Sequence, residues 1–207
     1  MATVDSDRYA DKRFTQIPEL NTHKASPEWL EQWEKYSLRC GKSVDGLTGF
    51  TEAVIAREIA ANLPDGSTLF VSSSRPIRDL EGFAAPRSGV TTHANRGLAG
   101  IDGNISTALG IACASKQTFA VLGDLSFLHD LTGLIHREEI NCAFIVINND
   151  GGGIFSTLPQ RGVDGFESVF GTPHGLDPAA ITKAMGIPAT TISSVDELKK
   201  TLKAAVK

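Results

Sequence analysis

The chain has 207 residues, of which 41% are hydrophobic, and its net charge is −4. That length supports one well-buried domain of α/β size, and the acidic balance argues against a general nucleic-acid binder. The 3 cysteines form no CxxC pair, so neither a zinc site nor a disulfide framework is indicated. Without a signal-peptide pattern or an apolar run long enough to span a bilayer, we expect a soluble, cytoplasmic protein.

The first part of the chain is predicted to connect domains. Residues 1–25 are polar and irregular. A short helix is predicted over residues 26–40, because Ser26 can cap it and Pro27 suits its first position. We therefore interpret residues 1–45 as a tail or interdomain connection with one short helix, and residues 46–207 as the main domain.

Strands and helices are predicted to alternate through the main domain. Apolar spacing and helix caps predict helices over residues 50–63, 104–115, 126–139, 177–186 and 194–207. Short apolar runs predict strands over residues 67–73, 89–94, 117–123, 141–148 and 188–194. This alternation is typical of an α/β fold with a mostly parallel sheet and helices on both faces.

Two polar loops follow predicted strands, and ligands bind beyond the carboxyl ends of strands in such sheets. The first loop is Gly123-Asp124-Leu125-Ser126, and the second is the Asn-Asn-Asp-Gly-Gly-Gly run at 148–153. Each is a common turn sequence on its own. Together they offer a carboxylate, amide oxygens and exposed carbonyls, which are the ligands of Mg²⁺ beside phosphate oxygens and water. The pair therefore predicts a diphosphate carried by a divalent cation.

The same loops resemble the metal–diphosphate motif of thiamine diphosphate enzymes, which begins Gly-Asp-Gly and ends Asn-Asn; here residue 125 is Leu. The segments at 95–110, 123–134 and 148–159 read NRGLAGIDGNISTALG, GDLSFLHDLTGL and NNDGGGIFSTLP. They resemble the C-terminal cofactor domain of the 2-succinyl-5-enolpyruvyl-6-hydroxy-3-cyclohexene-1-carboxylate synthases of menaquinone biosynthesis. The resemblance implies a thiamine diphosphate-binding fold, with thiamine diphosphate and Mg²⁺ (or Mn²⁺) as cofactors and residues 46–207 as the diphosphate- and metal-binding domain.

The resemblance also implies roles for individual residues. The metal ligands would be the Asp124 carboxylate, the Asn149 side chain and the Gly151 carbonyl. The organic cofactor would contact Gly123, Leu125 and Ser126 at the diphosphate, Ile101 beneath the two rings, and Ile154, Phe155 and Leu158 beside the thiazolium.

Substrate contacts are implied at Ser74, Arg78 and Arg96. This family condenses 2-oxoglutarate with isochorismate, and planar guanidinium groups bind such carboxylates bidentately. We interpret Arg75 and Arg87 as solvated surface residues on loops around the predicted strand at 89–94.

Two histidines remain open at this point. His129 has either a proton-transfer role or, as we favour, an ordinary hydrogen-bonded place in a helix, so no catalytic residue is assigned. His174 lies in a segment that either folds over the site or, as we favour, is an ordinary connector.

The resemblance implies that part of the enzyme lies elsewhere. In this family the glutamate that activates the cofactor belongs to a separate N-terminal pyrimidine-binding domain, usually of the neighbouring subunit, and Glu52, Glu58 and Glu81 match no such motif. We therefore expect a fragment of a larger homo-oligomeric enzyme that is inactive alone. The alternatives are a domain of another thiamine diphosphate-dependent lyase, of the acetohydroxyacid synthase type, and a non-catalytic module that keeps the fold.

Overall fold

Four parallel strands form one sheet at the centre of the fold. The structure is a computed structural model that describes residues 26–95, 100–136 and 140–205. The strands are β1 (Ser67–Val71), β2 (Val90–His93), β3 (Thr118–Gly123) and β4 (Cys142–Ile147). They are hydrogen-bonded in the order β2-β1-β3-β4, and each neighbouring pair is parallel. The predicted α/β fold with a parallel sheet is confirmed.

The described residues form seven α-helices. They are α1 (Pro27–Asp45), α2 (Glu52–Asn62), α3 (Arg75–Phe83), α4 (Asn104–Ala112), α5 (Asp124–His129), α6 (Pro178–Ala184) and α7 (Val195–Ala204). Two 3₁₀ segments (Leu131–His136 and Gly153–Thr157) and one π-helical segment (Glu167–Gly171) complete the described elements. Thr51, Asp177 and Ser194 cap α2, α6 and α7 by accepting backbone N–H bonds through their side chains.

Both faces of the sheet are covered by helices. Successive side chains of a strand point to opposite faces, so they pack into different clusters. In β3, Phe119 and Val121 belong to a cluster with α2 and α7, whereas Ala120 and Leu122 belong to a cluster with α4 and α5. All four side chains are at most 2% exposed. Because β3 is buried on both faces, its sequence is a nearly continuous apolar run.

Several predicted elements differ from those observed. Residues 75–83 form α3, where a loop was expected, because Pro76 lies in the first turn and Ile77 and Leu80 pack on the sheet. The predicted helix over 126–139 breaks at Asp130, where α5 gives way to a 3₁₀ segment. The helix predicted over 26–40 extends to Asp45.

The strand predicted over residues 188–194 is wrong. No strand is assigned between α6 and α7 in the described chain. Ile187 and Ile192 instead pack on opposite core clusters, and Pro188 has no N–H to donate to a neighbouring strand. β4 is consequently the last strand in the described sheet, and its residues are half-buried.

The chain divides into two units, Met1–Ser43 and Val44–Lys207. The sheet and its covering helices lie in the second unit. No helix among the described residues is both long and apolar enough to cross a membrane.

Candidate functional site

The two polar loops meet at the carboxyl edge of the sheet. β3 and β4 are parallel neighbours, and their last residues, Gly123 and Ile147, are register partners. The Gly123–Asp124 corner and the loop after Ile147 therefore start side by side. The backbone N–H of Gly151 donates to Asp124 Oδ2 over 2.8 Å, which joins the two loops directly.

The Asp124 carboxylate is buried and held by several donors. It is 2% exposed. Oδ1 accepts the N–H of Leu125 at 2.8 Å. Oδ2 accepts the N–H of Gly151, and His174 Nε2 lies 3.2 Å from it. Because a carboxylate oxygen has two lone-pair directions, Oδ1 is the atom with a direction left for a cation.

Glycine is required in the second loop because another backbone segment lies against it. Gly151 has φ +131°, and a Cβ there would overlap the carbonyl oxygen of Gly171 and lie 2.8 Å from that of Thr172. The N–H of Gly152 donates to Gly171 O at 2.7 Å. The Gly-Gly pair thus lets residues 170–172 close over the loop.

That closing segment also brings His174 into the site. Asp150 Oδ1 accepts the N–H groups of His174 and Gly175 at 3.1 and 2.7 Å. The backbone N–H of Gly175, despite some desolvation, lowers the pKa of the Asp150 carboxyl, and that of His174 adds to this. The N–H of Leu176 donates to His174 Nδ1 at 2.9 Å, which assigns the ring proton of a neutral imidazole to Nε2, facing Asp124. The interpretation of this segment as an ordinary connector is wrong.

Asn149 points its amide towards α2. Its Nδ2 donates to Glu52 Oε1 over 2.6 Å. Glu52 Oε2 and Asp79 Oδ1 each lie 2.9 Å from Arg75 Nη2. Burial raises the pKa of Asp79, and the charge of Arg75 opposes this shift. Sequence reasoning missed Glu52, and Arg75 is an ion-paired helix residue rather than a solvated loop residue.

Arg87 is also structural rather than merely solvated. Its Nη1 donates to the carbonyls of Ala60 and Leu63 at 2.6 and 2.8 Å, and its Nη2 contacts Asp65. These carbonyls lie at the end of α2, where no intrahelical donor remains for them.

The expected cofactor contacts differ in their exposure. Ser126 is buried in α5 and Leu125 is half-buried, while Ile101 and Leu158 are exposed. Ile154 and Phe155 are half-buried in the 3₁₀ segment after the glycines. The Phe155 ring centroid lies 5.5 Å from that of Phe170, so this side chain also fixes the π-helical segment.

The expected substrate residues begin at the neighbouring strand end. Ser74 follows β1 and precedes α3 with φ +77°, a strained conformation for a residue with a side chain. Arg78 is exposed on α3. Arg96 lies outside the described residues. Ser72 Oγ accepts the N–H of Gly123 at 3.4 Å, which ties this strand end to the Asp124 loop.

His129 contacts Asp102 rather than joining the two loops, as far as the described residues show. Its Nδ1 lies 3.4 Å from Asp102 Oδ1, and both side chains are largely exposed. The adjacent Asp130 accepts the backbone N–H of Ser106 at 2.9 Å, which is a structural contact.

The donor set fits a hard cation. The described residues hold no group of three or more His, Cys, Asp or Glu side chains that could bind a metal ion. A cation here would use one carboxylate oxygen of Asp124, the Oδ1 of Asn149 and the carbonyl of Gly151. All three are oxygen ligands, which Mg²⁺ and Mn²⁺ accept together with phosphate oxygens.

Comparison with known proteins identifies the family of this chain. Residues 79–207 match the family model described as the thiamine pyrophosphate enzyme, C-terminal TPP binding domain. The chain is 46% identical over 160 residues to the 2-succinyl-5-enolpyruvyl-6-hydroxy-3-cyclohexene-1-carboxylate synthase of Thermobifida fusca, covering 73% of this chain and 29% of the relative. The synthase of the same name from Saccharopolyspora erythraea is 39% identical over 184 residues, covering 84% of this chain and 33% of the relative.

Solved structures share the fold. A putative thiamin diphosphate-dependent enzyme from Mycobacterium smegmatis superposes with a TM-score of 0.57 at 21% identity, covering 77% of this chain and 30% of that chain. The thiamine diphosphate-dependent 4-hydroxybenzoylformate decarboxylase of Rhodococcus jostii gives 0.55 at 19% identity, covering 76% and 30%. This chain therefore spans about a third or less of each protein compared here. It belongs to the family of C-terminal thiamine pyrophosphate-binding domains of thiamine pyrophosphate enzymes.

Proposed function

We propose that this chain is the cofactor-binding domain of a C–C bond-forming transferase that decarboxylates 2-oxoglutarate and adds the succinyl-semialdehyde unit to isochorismate in menaquinone biosynthesis. The observation that carries the proposal is the contact between Gly151 N–H and Asp124 Oδ2, which unites the two halves of the metal–diphosphate motif. The identity of 46% with a synthase of this activity supports the choice of substrates.

The chain's own residues would hold the cofactor by their oxygen atoms and amides. Asp124, Asn149 and Gly151 would bind Mg²⁺ or Mn²⁺, while Leu125 and Ser126 would meet the diphosphate. Bound thiamine diphosphate supplies a nucleophilic thiazolium carbon and an acceptor for the electrons released by decarboxylation. Arg78 and Arg96 would bind substrate carboxylates, and Ser74 would orient one of them by hydrogen bonding.

A calorimetric titration tests the binding half of the proposal. Thiamine diphosphate is titrated into the chain with and without Mg²⁺, and we expect heat only with the cation. Asp124→Ala should abolish that heat, because the buried carboxylate is the charged ligand of the set. Asp196→Ala is the matched control, since Asp196 is exposed in the first turn of α7. No heat at millimolar thiamine diphosphate with the cation present, with Asp124→Ala behaving the same, would favour a non-catalytic module that keeps the fold without the cofactor.

An activity assay tests the catalytic half of the proposal. Because the chain corresponds to 29% of the Thermobifida fusca synthase, we expect no turnover by the chain alone. Mixed with the remaining domains of that relative, it should form product from 2-oxoglutarate and isochorismate. Acetolactate formation from pyruvate instead would identify a lyase of the acetohydroxyacid synthase type. Robust decarboxylation by the chain alone would contradict the need for a second domain.

We further propose that the protein acts in the cytoplasm as a homo-oligomer. Exposed apolar side chains in the glycine loop and the segment that closes over it support an interface there; they are Leu158, Val169 and Leu176. Light scattering after gel filtration should give a mass above the 22.0 kDa of one chain. A monomeric mass at all concentrations would refute self-association of this chain.

A further inference from the structure

Glu52 makes a contact with the metal loop that no motif of the sequence indicates. It is the first residue of α2 and lies 97 positions before Asn149, yet its Oε1 accepts the Asn149 Nδ2 at 2.6 Å. Such a short bond between an amide and a carboxylate is a strong, charge-assisted one. The side chain of the proposed metal ligand is therefore tied to a separate element of the fold.

The chemistry of the two groups fixes which end of the amide faces Glu52. An ionised carboxylate only accepts hydrogen bonds, whereas the amide of Asn149 has a donor end and an acceptor end. The Nδ2 end must therefore face Glu52, and Oδ1 is left as the atom that binds a cation. A glutamine at position 52 would remove this constraint, because its own amide can either donate or accept.

Glu52 is itself held in place by Arg75. Nη2 of Arg75 lies 2.9 Å from Glu52 Oε2 and 2.9 Å from Asp79 Oδ1, and the Asp79 side chain is 7% exposed. Arg75 follows Ser74, one of the residues expected to bind substrate. One guanidinium thus fixes Glu52 and the start of α3 together.

Gly153 leaves the space that the Asn149 amide occupies. A Cβ at Gly153 would overlap Nδ2 of Asn149 and would lie 2.9 Å from its Cγ. The absence of a side chain at position 153 lets the amide lie close to the backbone while it reaches Glu52.

We propose that Glu52 is a positioning residue of the metal site, which orients the Asn149 amide so that Oδ1 faces the cation. This inference rests on the proposed magnesium and thiamine diphosphate binding. Outer hydrogen-bond partners of metal ligands typically change metal affinity by roughly 10–100-fold. We therefore expect Glu52→Gln to raise the dissociation constant of the cation roughly 10-fold.

The test measures free Mn²⁺ by electron paramagnetic resonance during titration of the full chain in the presence of excess thiamine diphosphate. Glu52→Gln is compared with Glu81→Gln, which makes the same change of charge at an exposed position of α3. Equal thermal midpoints of the two variants would show that both remain folded. Weaker Mn²⁺ binding in Glu52→Gln alone supports the inference.

A double-mutant cycle separates orientation from charge. If Glu52 acts through the amide, Glu52→Gln changes nothing further when Asn149 is already alanine. An equal loss in both backgrounds would overturn the inference, because a negative charge acting directly on the cation needs no amide. Full Mn²⁺ affinity in Glu52→Gln would overturn it too, while leaving the proposed function intact. Absence of Mn²⁺ binding by the unaltered chain would overturn both.

Discussion

The closure of residues 170–172 over Gly151 makes this glycine a sensitive probe of the site. In Gly151→Ala, the residue must keep φ +131°, a conformation that costs a residue with a side chain about 1–3 kcal/mol. Its Cβ would overlap Gly171 O and lie 2.8 Å from Thr172 O. The closing segment must therefore retreat, and loss of the Gly152–Gly171 hydrogen bond costs about 1 kcal/mol more. We expect a total destabilisation of about 3 kcal/mol.

Gly162→Ala is the matched control for this variant. Gly162 has φ +82°, and a Cβ there would meet nothing within 4 Å. Gly162→Ala therefore incurs only the cost of holding a residue with a side chain at positive φ, which is about 1 kcal/mol. With an m-value of about 2 kcal/mol/M in urea, the unfolding midpoint should fall by about 1.5 M for Gly151→Ala and about 0.5 M for the control. Amide exchange of Gly152 should also accelerate only in Gly151→Ala. Equal midpoints, or an unchanged exchange rate, would refute the close approach on which the argument rests.

Three other outcomes follow from single residues. Burial raises the pKa of the Cys142 thiol to about 12, so its thiolate fraction at neutral pH, and with it the labelling rate by a thiol reagent, should be roughly 1000-fold below that of the exposed cysteines. Equal labelling rates, resolved by mass spectrometry, would contradict its burial. Arg87→Ala should lower the free energy of unfolding in urea by about 2 kcal/mol, because two carbonyls at the end of α2 lose their donor; a change below about 0.5 kcal/mol would make Arg87 an ordinary surface residue. Burial raises the pKa of Glu58, but the hydrogen bonds from Lys199 and Arg57 outweigh burial and bring the pKa below 4.5. The ionised Glu58 therefore stabilises the fold above its unfolded pKa, and this stabilisation is lost as the pH falls through the lower folded pKa, so Lys199→Met should lose less stability than the unaltered chain between about pH 5 and 3 in urea unfolding. Equal losses would show that the ion pair does not contribute to stability.

Local patterns were sufficient to predict the four strands of the described sheet and the two loops of the site, although they also predicted a strand over residues 188–194 that does not form. Strands β1, β3 and β4 are continuous apolar runs that end at polar or glycine residues, and parallel pairing then places those ends at one edge. The contact between Asp124 and Gly151 follows from that placement. Short elements were harder to predict: α3 is 9 residues long and begins with Arg-Pro, so the segment also fits a loop although Ile77 and Leu80 pack on the core.

The contacts that hold the proposed ligands could not be predicted, because each joins distant parts of the chain. Glu52 meets Asn149 across 97 positions, and His174 meets Asp124 across 50. Neither residue stands at a fixed spacing from its partner. Only the packing of α2 against the sheet and the return of residues 170–176 over the loop bring them together.

The strand order β2-β1-β3-β4 has a further consequence for how a ligand could be held. From β1 the chain moves outward through α3 on one face, and from β3 it moves in the opposite direction through α5 on the other face. The two connections therefore diverge between β1 and β3, and a crevice opens at this topological switch point. Ser74 and α3 border one side of the crevice and Asp124 borders the other. Any molecule that spans it would touch the proposed substrate residues and the proposed cation ligands at once.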